Sequence, residues 1–159
     1  MPTLAIDVMS GDLGAPECVP GALLALGQAP DLHLELVGNP ATIEPLLAPA
    51  SAALRARVSI VPASDVVPMD ELPRAAIRHR KASSMRIAID RVKAGAALGC
   101  VSAGNTGALT AIAHFVLKTV PHVERAPIMS ALPAAHGFAY MLDLGANITA
   151  TAEQLRQFA

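Results

Sequence analysis

The chain has 159 residues, 53% of them hydrophobic, 3% aromatic and 16% charged, with a formal net charge of −1. This length can bury one sizeable core, and the composition excludes a disordered tail. The scarcity of aromatic stacking residues and the negative charge argue against nucleic-acid binding, whereas abundant small aliphatic residues favour a mostly parallel sheet covered by helices.

The first part of the chain predicts a strand, a small-residue loop and a helix. The apolar run at residues 4–9 contains a single acid, Asp7, and the loop Ser10–Pro16 follows it. Pro16 suits the first turn of a helix, which we expect to end near Gly27.

A second and a third strand are predicted at residues 32–37 and 58–61. In the second strand, apolar residues alternate with His33 and Glu35, so one of its faces should be polar. Between the two strands, Asn39 is well placed to cap a short helix.

A connection at residues 65–73, punctuated by prolines, leads into the most basic part of the chain. Seven of the 12 Lys and Arg residues lie within residues 74–93, a helical pattern with a break at Ser83–Ser84. We expect Asp70 or Glu71 to begin its first helix. Two hydroxyls that open a helix after basic side chains can bind phosphate, and a solvated basic face with an ordinary serine cap explains the pattern equally well.

The stretch at residues 98–118 predicts a strand, a tight loop and a helix. The strand ends at Ser102. The loop contains two glycines and two candidate N-cap residues, namely Gly104, Gly107, Asn105 and Thr106. Glycines let the backbone approach a ligand, and the amides of a helix start attract an anion. Glycines required only by the geometry of the turn are an equally good explanation.

The last part of the chain predicts two more strands and a terminal helix. The runs at residues 127–132 and 138–144 are nearly uninterrupted apolar sequence, as in strands covered on both faces. Asp143 and Asn147 form a third polar loop at a strand end. Because ligands bind at the carboxyl ends of parallel strands, we expect a single α/β domain with its site at these loops.

Cysteine usage and the start of the chain indicate a cytoplasmic protein. Cys18 and Cys100 lack metal-ligand spacing, so we expect free buried thiols and no metal site. The chain begins Met-Pro-Thr without the basic start of a signal peptide. Residues 94–117 carry no full charge and could span a bilayer, but the polar loop in their middle argues against it.

Taken together, these segments resemble the phosphate acyltransferase family. The matching segments are residues 5–12 with Pro16, 66–73, 80–86, 92–95, 101–109 and 142–147. The run Ser-Ala-Gly-Asn-Thr-Gly-Ala and the Ser-Ser-Met block are its most specific parts. Ser10 departs from the pattern, since the family usually has a second glycine there. Members run to roughly twice this length, so the chain resembles their N-terminal half.

The resemblance implies a fold and a reaction. The fold is a Rossmann-like three-layer α/β/α sandwich with a mostly parallel sheet, as in isocitrate and isopropylmalate dehydrogenases and phosphotransacetylases. The reaction moves a fatty acyl group from acyl-carrier protein to inorganic phosphate, gives acyl phosphate for phospholipid synthesis, and requires no cofactor. Phosphate is the nucleophile, so the protein has to hold it against the thioester and stabilise the oxyanion.

The resemblance and the polar loops together give the candidate site residues. We expect catalytic roles for Asn105, Ser102 and Lys81. We expect phosphate contacts from Ser83, Ser84, Thr106, Gly104, Gly107 and Arg80. We expect Asp7, Gly11, Asp12, Asp143 and Asn147 to orient the loops.

The resemblance also implies partners. Acyl-carrier proteins are acidic and suit the basic segment at residues 74–93, and family members form homodimers that associate peripherally with anionic membranes. Alternatives are a phosphotransacetylase-like transfer from acyl-coenzyme A, and a non-catalytic half-domain that binds carrier protein or anionic lipid. For this half alone we expect little acyl-phosphate synthesis, and exposed apolar side chains at Phe138, Tyr140 and Met141.

Overall fold

The structure is a computed structural model in which residues 1–143 and 149–158 are described. The chain divides into two units, Met1–Leu117 (unit 1) and Lys118–Ala159 (unit 2). The single domain that the sequence predicts stays a prediction. The two units are described separately.

Strands and helices alternate along unit 1. The strands are β1 (Thr3–Asp7), β2 (His33–Gly38), β3 (Val58–Pro62) and β4 (Gly99–Ser102). The helices are α1 (Ala15–Gln28), α2 (Pro40–Leu47), α3 (Ala52–Arg55), α4 (Pro73–His79), α5 (Ser84–Lys93) and α6 (Thr106–Leu117). The strands form one parallel sheet in the order β3-β2-β1-β4. The predicted Rossmann-like, mostly parallel α/β/α fold is confirmed.

Helices cover both faces of this sheet. α1 and α2 pack on one face, where Val19 and Ile43 meet Leu36 in the largest buried cluster. α5 packs on the other face, where Ala88 lies against Ala5. Behind α5, the helices α4 and α6 add a further buried cluster. The core of unit 1 thus fixes the carboxyl ends of β1 and β4 and the first turns of α5 and α6.

Short polar side chains cap α2 and α5 where the sequence predicts. Asn39 Oδ1 accepts a hydrogen bond from Ala41 N at 3.0 Å, and the break before α5 falls at Ser83. The predicted start of α4 is wrong, because that helix begins at Pro73 without a side-chain cap. Glu71 binds Arg80 instead.

The polar face predicted for β2 is covered by the protein instead of facing solvent. Glu35 is only 7% exposed, because α5 covers that face of the strand. Its carboxylate accepts hydrogen bonds from Arg91 Nε at 2.7 Å and Arg91 Nη2 at 2.5 Å. A buried carboxylate needs such a partner, and the guanidinium reaches it from α5.

Unit 2 contains β5 (Met129–Pro133), β6 (Phe138–Leu142) and α7 (Ala152–Phe158). The two strands pair with each other in an antiparallel hairpin. The covering layers that their apolar sequence predicts are not observed in the described structure, and Phe138, Tyr140 and Met141 are exposed, as expected. Thr151 caps the start of α7, with its hydroxyl accepting a hydrogen bond from Gln154 N.

Within residues 1–143 and 149–158, no helix is long and apolar enough to cross a membrane. Residues 94–117 contain β4 and α6 instead of one continuous helix. Cys18 and Cys100 are free, as predicted, but each is only partly buried. Burial raises the pKa of both thiols, and the charge of Asp7 raises it further.

Candidate functional site

Asp7 and Ser102 end the neighbouring strands β1 and β4 and lie opposite each other in register. Ser102 Oγ donates a hydrogen bond to Asp7 Oδ2 at 2.7 Å and accepts one from Gly104 N at 3.2 Å. Asp7 is only 1% exposed. The carboxylate therefore ties the start of the β4–α6 loop to the sheet, which is the contact expected of a loop-orienting residue. The hydroxyl hydrogen of Ser102 is therefore already used in the hydrogen bond to Asp7.

The two serines that open α5 differ in how their hydroxyls are used. Both side chains are fully buried. Ser83 Oγ donates to Arg80 O at 2.7 Å and accepts from Arg86 N at 3.2 Å, so it caps the helix. Ser84 Oγ has no hydrogen-bond partner among the described residues. Of the predicted pair, only Ser84 keeps a free hydroxyl at the helix start.

The connection between β3 and α4 is held by Arg80. Its guanidinium donates to Asp65 Oδ1 at 3.1 Å and to Glu71 Oε2 at 2.7 Å. The hydrogen bond to Glu71 is the main cause that raises the pKa of Arg80, and the charge of Asp65 adds to it. Two carboxylates therefore already neutralise Arg80, and the phosphate contact predicted for this residue stays a prediction.

Asn105 fixes the same connection to α6. Its Nδ2 donates to the carbonyl oxygens of Met69 and Glu71, each at 2.9 Å. Its Oδ1 accepts from Ala108 N at 3.0 Å, which confirms Asn105 as the cap of α6. Both ends of the amide are engaged in positioning the loops, and a catalytic role for this residue stays a prediction.

Three segments meet at Gly104. A Cβ added there would lie 2.7 Å from Ser10 Cβ and 2.8 Å from Met85 Cε, so only glycine fits without a shift. Ser10 belongs to the loop after β1, and Met85 follows Ser84 in the first turn of α5. The loops after β1 and β4 and the start of α5 are thus packed together. A second contact joins two of them, since a Cβ on Gly11 would meet Ala103 at 3.2 Å.

Ser10 is a site residue that the sequence reasoning missed. The side chain is 1% exposed, and its hydroxyl has no partner among the described residues. The available signal was the departure from the family pattern, where a serine stands in place of a glycine. A buried hydroxyl without a partner costs about 1–3 kcal/mol, so a water or a ligand atom is expected to satisfy it.

The remaining candidate residues are exposed, belong to unit 2 or fall outside the described residues. Lys81 and Thr106 are exposed, and neither side chain makes a hydrogen bond or an ion pair within residues 1–143 and 149–158. Asp12 is exposed at the loop after β1. Asp143 belongs to unit 2, where its backbone N donates to Ile128 O, and Asn147 lies outside the described residues.

This arrangement suits an anion better than a metal ion. Across the part of the chain that is described, no three His, Cys, Asp or Glu residues cluster so that they could hold a metal. The first turns of α5 and α6 lie near two buried hydroxyls, those of Ser10 and Ser84, which have no partner among the described residues. Helix starts and hydroxyl donors are the groups that hold phosphate in proteins.

A family model and several relatives of this chain all relate it to fatty acid synthesis or to phosphate acyltransferases. Residues 2–159 match the family described as "Fatty acid synthesis protein". A protein of Pseudomonas fluorescens strain Pf0-1 named "Phosphate acyltransferase" is 49% identical over 156 residues, which cover 98% of this chain and 46% of that protein. Two further proteins of the same name are 50% identical to this chain. The one from Pseudomonas putida strain F1 matches 98% of the chain, and the one from Stutzerimonas stutzeri strain A1501 matches 99%. The chain spans less than half of their length, 46% and 44%.

Proposed function

The chain belongs to the fatty acid synthesis protein family, and on this premise we propose that it forms the phosphate-binding part of a phosphate acyltransferase. In the proposed reaction, an oxygen of inorganic phosphate attacks the carbonyl carbon of a fatty acyl thioester on acyl-carrier protein. The new C–O bond forms and the C–S bond breaks, so acyl phosphate and the carrier thiol leave. The acyl phosphate then serves phospholipid synthesis.

The free hydroxyl of Ser84 is the observation that carries the proposal. It is fully buried, has no partner among the described residues and stands at the start of α5, a helix of 10 residues. The backbone amides and the dipole of such a helix start favour an anion. A phosphate oxygen would accept the bond that Ser84 Oγ does not make within the protein.

The loop that follows β4 supplies the second wall of the proposed site. Asn105 and the Asp7–Ser102 pair fix this loop at both of its ends. A loop held in this way can keep backbone amides aimed at a developing oxyanion, and such preorganised donors are a large part of catalysis in acyl transfer. Thr106 offers a further exposed hydroxyl, and Lys81 offers a positive charge.

Exposed basic side chains near this site suit an acidic partner. Arg74, Arg78 and Lys81 are exposed, and no ion pair of theirs is observed in the part of the chain that is described. Attraction between such a surface and an acidic carrier protein increases the association rate and weakens with salt. We expect Arg78→Glu and Lys81→Glu to weaken carrier binding at low salt. Binding that does not change with ionic strength would point to an apolar interface.

Phosphate-dependent thiol release tests the proposal. The assay compares decanoyl-acyl-carrier protein with decanoyl-coenzyme A as donors, for the wild type, Ser84→Ala and Ser59→Ala. Ser59 is an exposed serine of β3 bonded to His33, and it serves as the matched control. For this half alone we expect a low rate of phosphate-dependent release from the carrier donor, which falls about tenfold further in Ser84→Ala, as for a hydrogen bond to a charged group.

The other outcomes of this assay would contradict the proposal. Faster release from decanoyl-coenzyme A would favour a phosphotransacetylase-like enzyme. Carrier binding without thiol release would favour a non-catalytic half-domain. Equal phosphate dependence in all three proteins would contradict a role for Ser84.

A further inference from the structure

The guanidinium of Arg80 bridges two points of the connection between β3 and α4. Residues 63–72 form this connection and contain no helix or strand. Arg80 Nε donates to Glu71 Oε2 at 2.7 Å, and Arg80 Nη1 donates to Asp65 Oδ1 at 3.1 Å. A guanidinium presents a rigid fork of donors that suits such a bridge, whereas an ammonium does not. Arg80 therefore fixes Asp65 and Glu71 relative to each other.

The contacts of Asp65 lead to the start of α5. Asp65 O accepts a hydrogen bond from Ser84 N at 3.0 Å, and Asp65 forms an isolated parallel bridge with Ser83. Arg80 O accepts the hydroxyl bond of Ser83 at 2.7 Å. The first amides of a helix have no partner within the helix, so external contacts of this kind decide how the helix start is held. Arg80 thus acts on α5 through its own carbonyl and through Asp65.

The contacts of Glu71 lead to the start of α6. Glu71 O accepts a hydrogen bond from Asn105 Nδ2 at 2.9 Å, and Asn105 Oδ1 accepts one from Ala108 N at 3.0 Å. Ala108 lies in the first turn of α6. The side chain of Glu71 binds Arg80 and its carbonyl binds Asn105. A continuous series of hydrogen bonds therefore runs from Ser84 N, through Arg80, to Ala108 N.

We propose that Arg80 is a positioning residue of the anion site, which couples the start of α5 to the start of α6 through Asp65, Glu71 and Asn105. The inference rests on the proposed function. It adds a residue that sets the relation between the two helix starts by holding the residues around them. Donors aimed at a reacting group must be supported in this way, because a loose supporting shell misplaces them.

Direct contact between Arg80 and phosphate is the alternative, and one substitution separates the two roles. A phosphate in direct contact would compete with Glu71 for the guanidinium, so Glu71→Gln should then strengthen phosphate binding. If Arg80 acts through Glu71, the same variant should weaken phosphate binding about threefold, because a neutral amide is a poorer acceptor than a carboxylate. The two roles thus predict changes of opposite sign.

Amide hydrogen exchange of the full 159-residue chain, without phosphate, tests the coupling by itself. Arg80→Gln should increase exchange about tenfold at Ser84 and at Ala108, while the amides of β2 keep their wild-type rates. Asn105→Ala should increase exchange at Ser84, because coupling between two sites is reciprocal. Glu35→Gln is the matched control, since it alters another carboxylate of unit 1 that is paired with an arginine. In this control, exchange at both helix starts should rise no more than in β2.

Phosphate titration of the same variants gives a second readout. Arg80→Gln should weaken phosphate binding about tenfold. Arg80→Lys should weaken it nearly as much, because lysine keeps the charge but does not bridge both carboxylates. Arg80→Lys also replaces Arg80→Gln in both measurements if the glutamine variant does not fold.

Four results would overturn the proposal. They are unchanged exchange at Ala108 in the Arg80 variants, an equal increase in β2, stronger phosphate binding by Glu71→Gln, and full phosphate affinity in Arg80→Lys. Coupled exchange in a wild-type chain that does not bind phosphate would support the coupling and overturn the proposed function instead.

Discussion

The strands β2 in unit 1 and β6 in unit 2 are both rich in apolar residues, yet their surroundings differ. Five of the six residues of β2 are buried, whereas all five residues of β6 are exposed. β2 lies between two strands and under helices on both faces, and β6 has one antiparallel neighbour. Apolar sequence is therefore enough to predict a strand, but the flanking layers decide whether it is buried.

The candidate site depends on the better-packed of the two regions. Buried hydroxyls without partners, such as those of Ser10 and Ser84, cost free energy that only a stable core can offset. Both residues lie in unit 1, at elements that the core fixes. The contrast between the two units can be tested by pairs of variants, one in each unit.

The largest difference is expected for leucines of the two strands. Leu36 in β2 is fully buried and Leu142 in β6 is 39% exposed. Leu36→Ala should lower the free energy of unfolding of unit 1 by about 3–5 kcal/mol. Leu142→Ala should change the stability of unit 2 by less than about 1 kcal/mol. Hydrogen exchange measured separately in β2 and β6 gives both values. A similar loss at Leu142 would show that the hairpin is covered in solution.

Two ion pairs give the next largest contrast. Arg91→Ala leaves the buried Glu35 carboxylate without its partner and should cost about 3 kcal/mol. Arg156→Ala removes an exposed pair with Glu153, and the stability of unit 2 should hardly change. Urea unfolding of both variants tests this difference. If Arg91→Ala is as stable as the wild type, Glu35 is solvated and β2 is less well covered than described.

Helix caps should show a smaller contrast. Asn105→Ala removes the cap of α6 and its bonds to Met69 and Glu71, and should cost about 2 kcal/mol. Thr151→Ala removes only the cap of α7 and should cost about 0.5–1 kcal/mol. Amide exchange in α6 and α7 reports each effect. Equal costs would mean that Asn105 does not hold the connection between β3 and α4.

The smallest expected effect is the pH response of α7. Hydrogen bonds from Arg156 and Gln157 lower the pKa of Glu153 to about 2 from 4.5. A lowered carboxyl pKa stabilises the folded form above pH 4.5, and this contribution is lost as the pH falls towards 2. Because solvent screens this exposed pair, carboxyl NMR of Glu153 should show a midpoint below 4.5, which Arg156→Ala should return towards 4.5. An unchanged midpoint in the variant would contradict the ion pair.

Local features of the site were predictable from sequence, and long-range pairings were not. The break at Ser83, the cap at Asn105 and the loop after Ser102 follow from short-range signals such as N-cap chemistry and glycine spacing. The Glu35–Arg91 pair joins positions 56 residues apart in the chain, so no local pattern reveals it.

The state of each hydroxyl and cation at the site was also beyond the sequence. Ser83 and Ser84 are adjacent and identical in type, yet only the first has its hydroxyl engaged within the described residues. Arg80 is paired with two carboxylates from a connection whose path the sequence does not specify. These differences depend on three-dimensional packing of separate loops, which composition and spacing do not encode.

Titration of the chain with inorganic phosphate, followed by backbone amide NMR, tests the central claim most directly. We predict saturable shifts at Ser10, Ser84 and the Ser102–Gly107 loop, and a strong weakening of phosphate binding in Ser84→Ala but not in Ser59→Ala. Shifts confined to unit 2, or spread over exposed basic side chains and equal in both variants, would contradict the phosphate site at the carboxyl ends of β1 and β4.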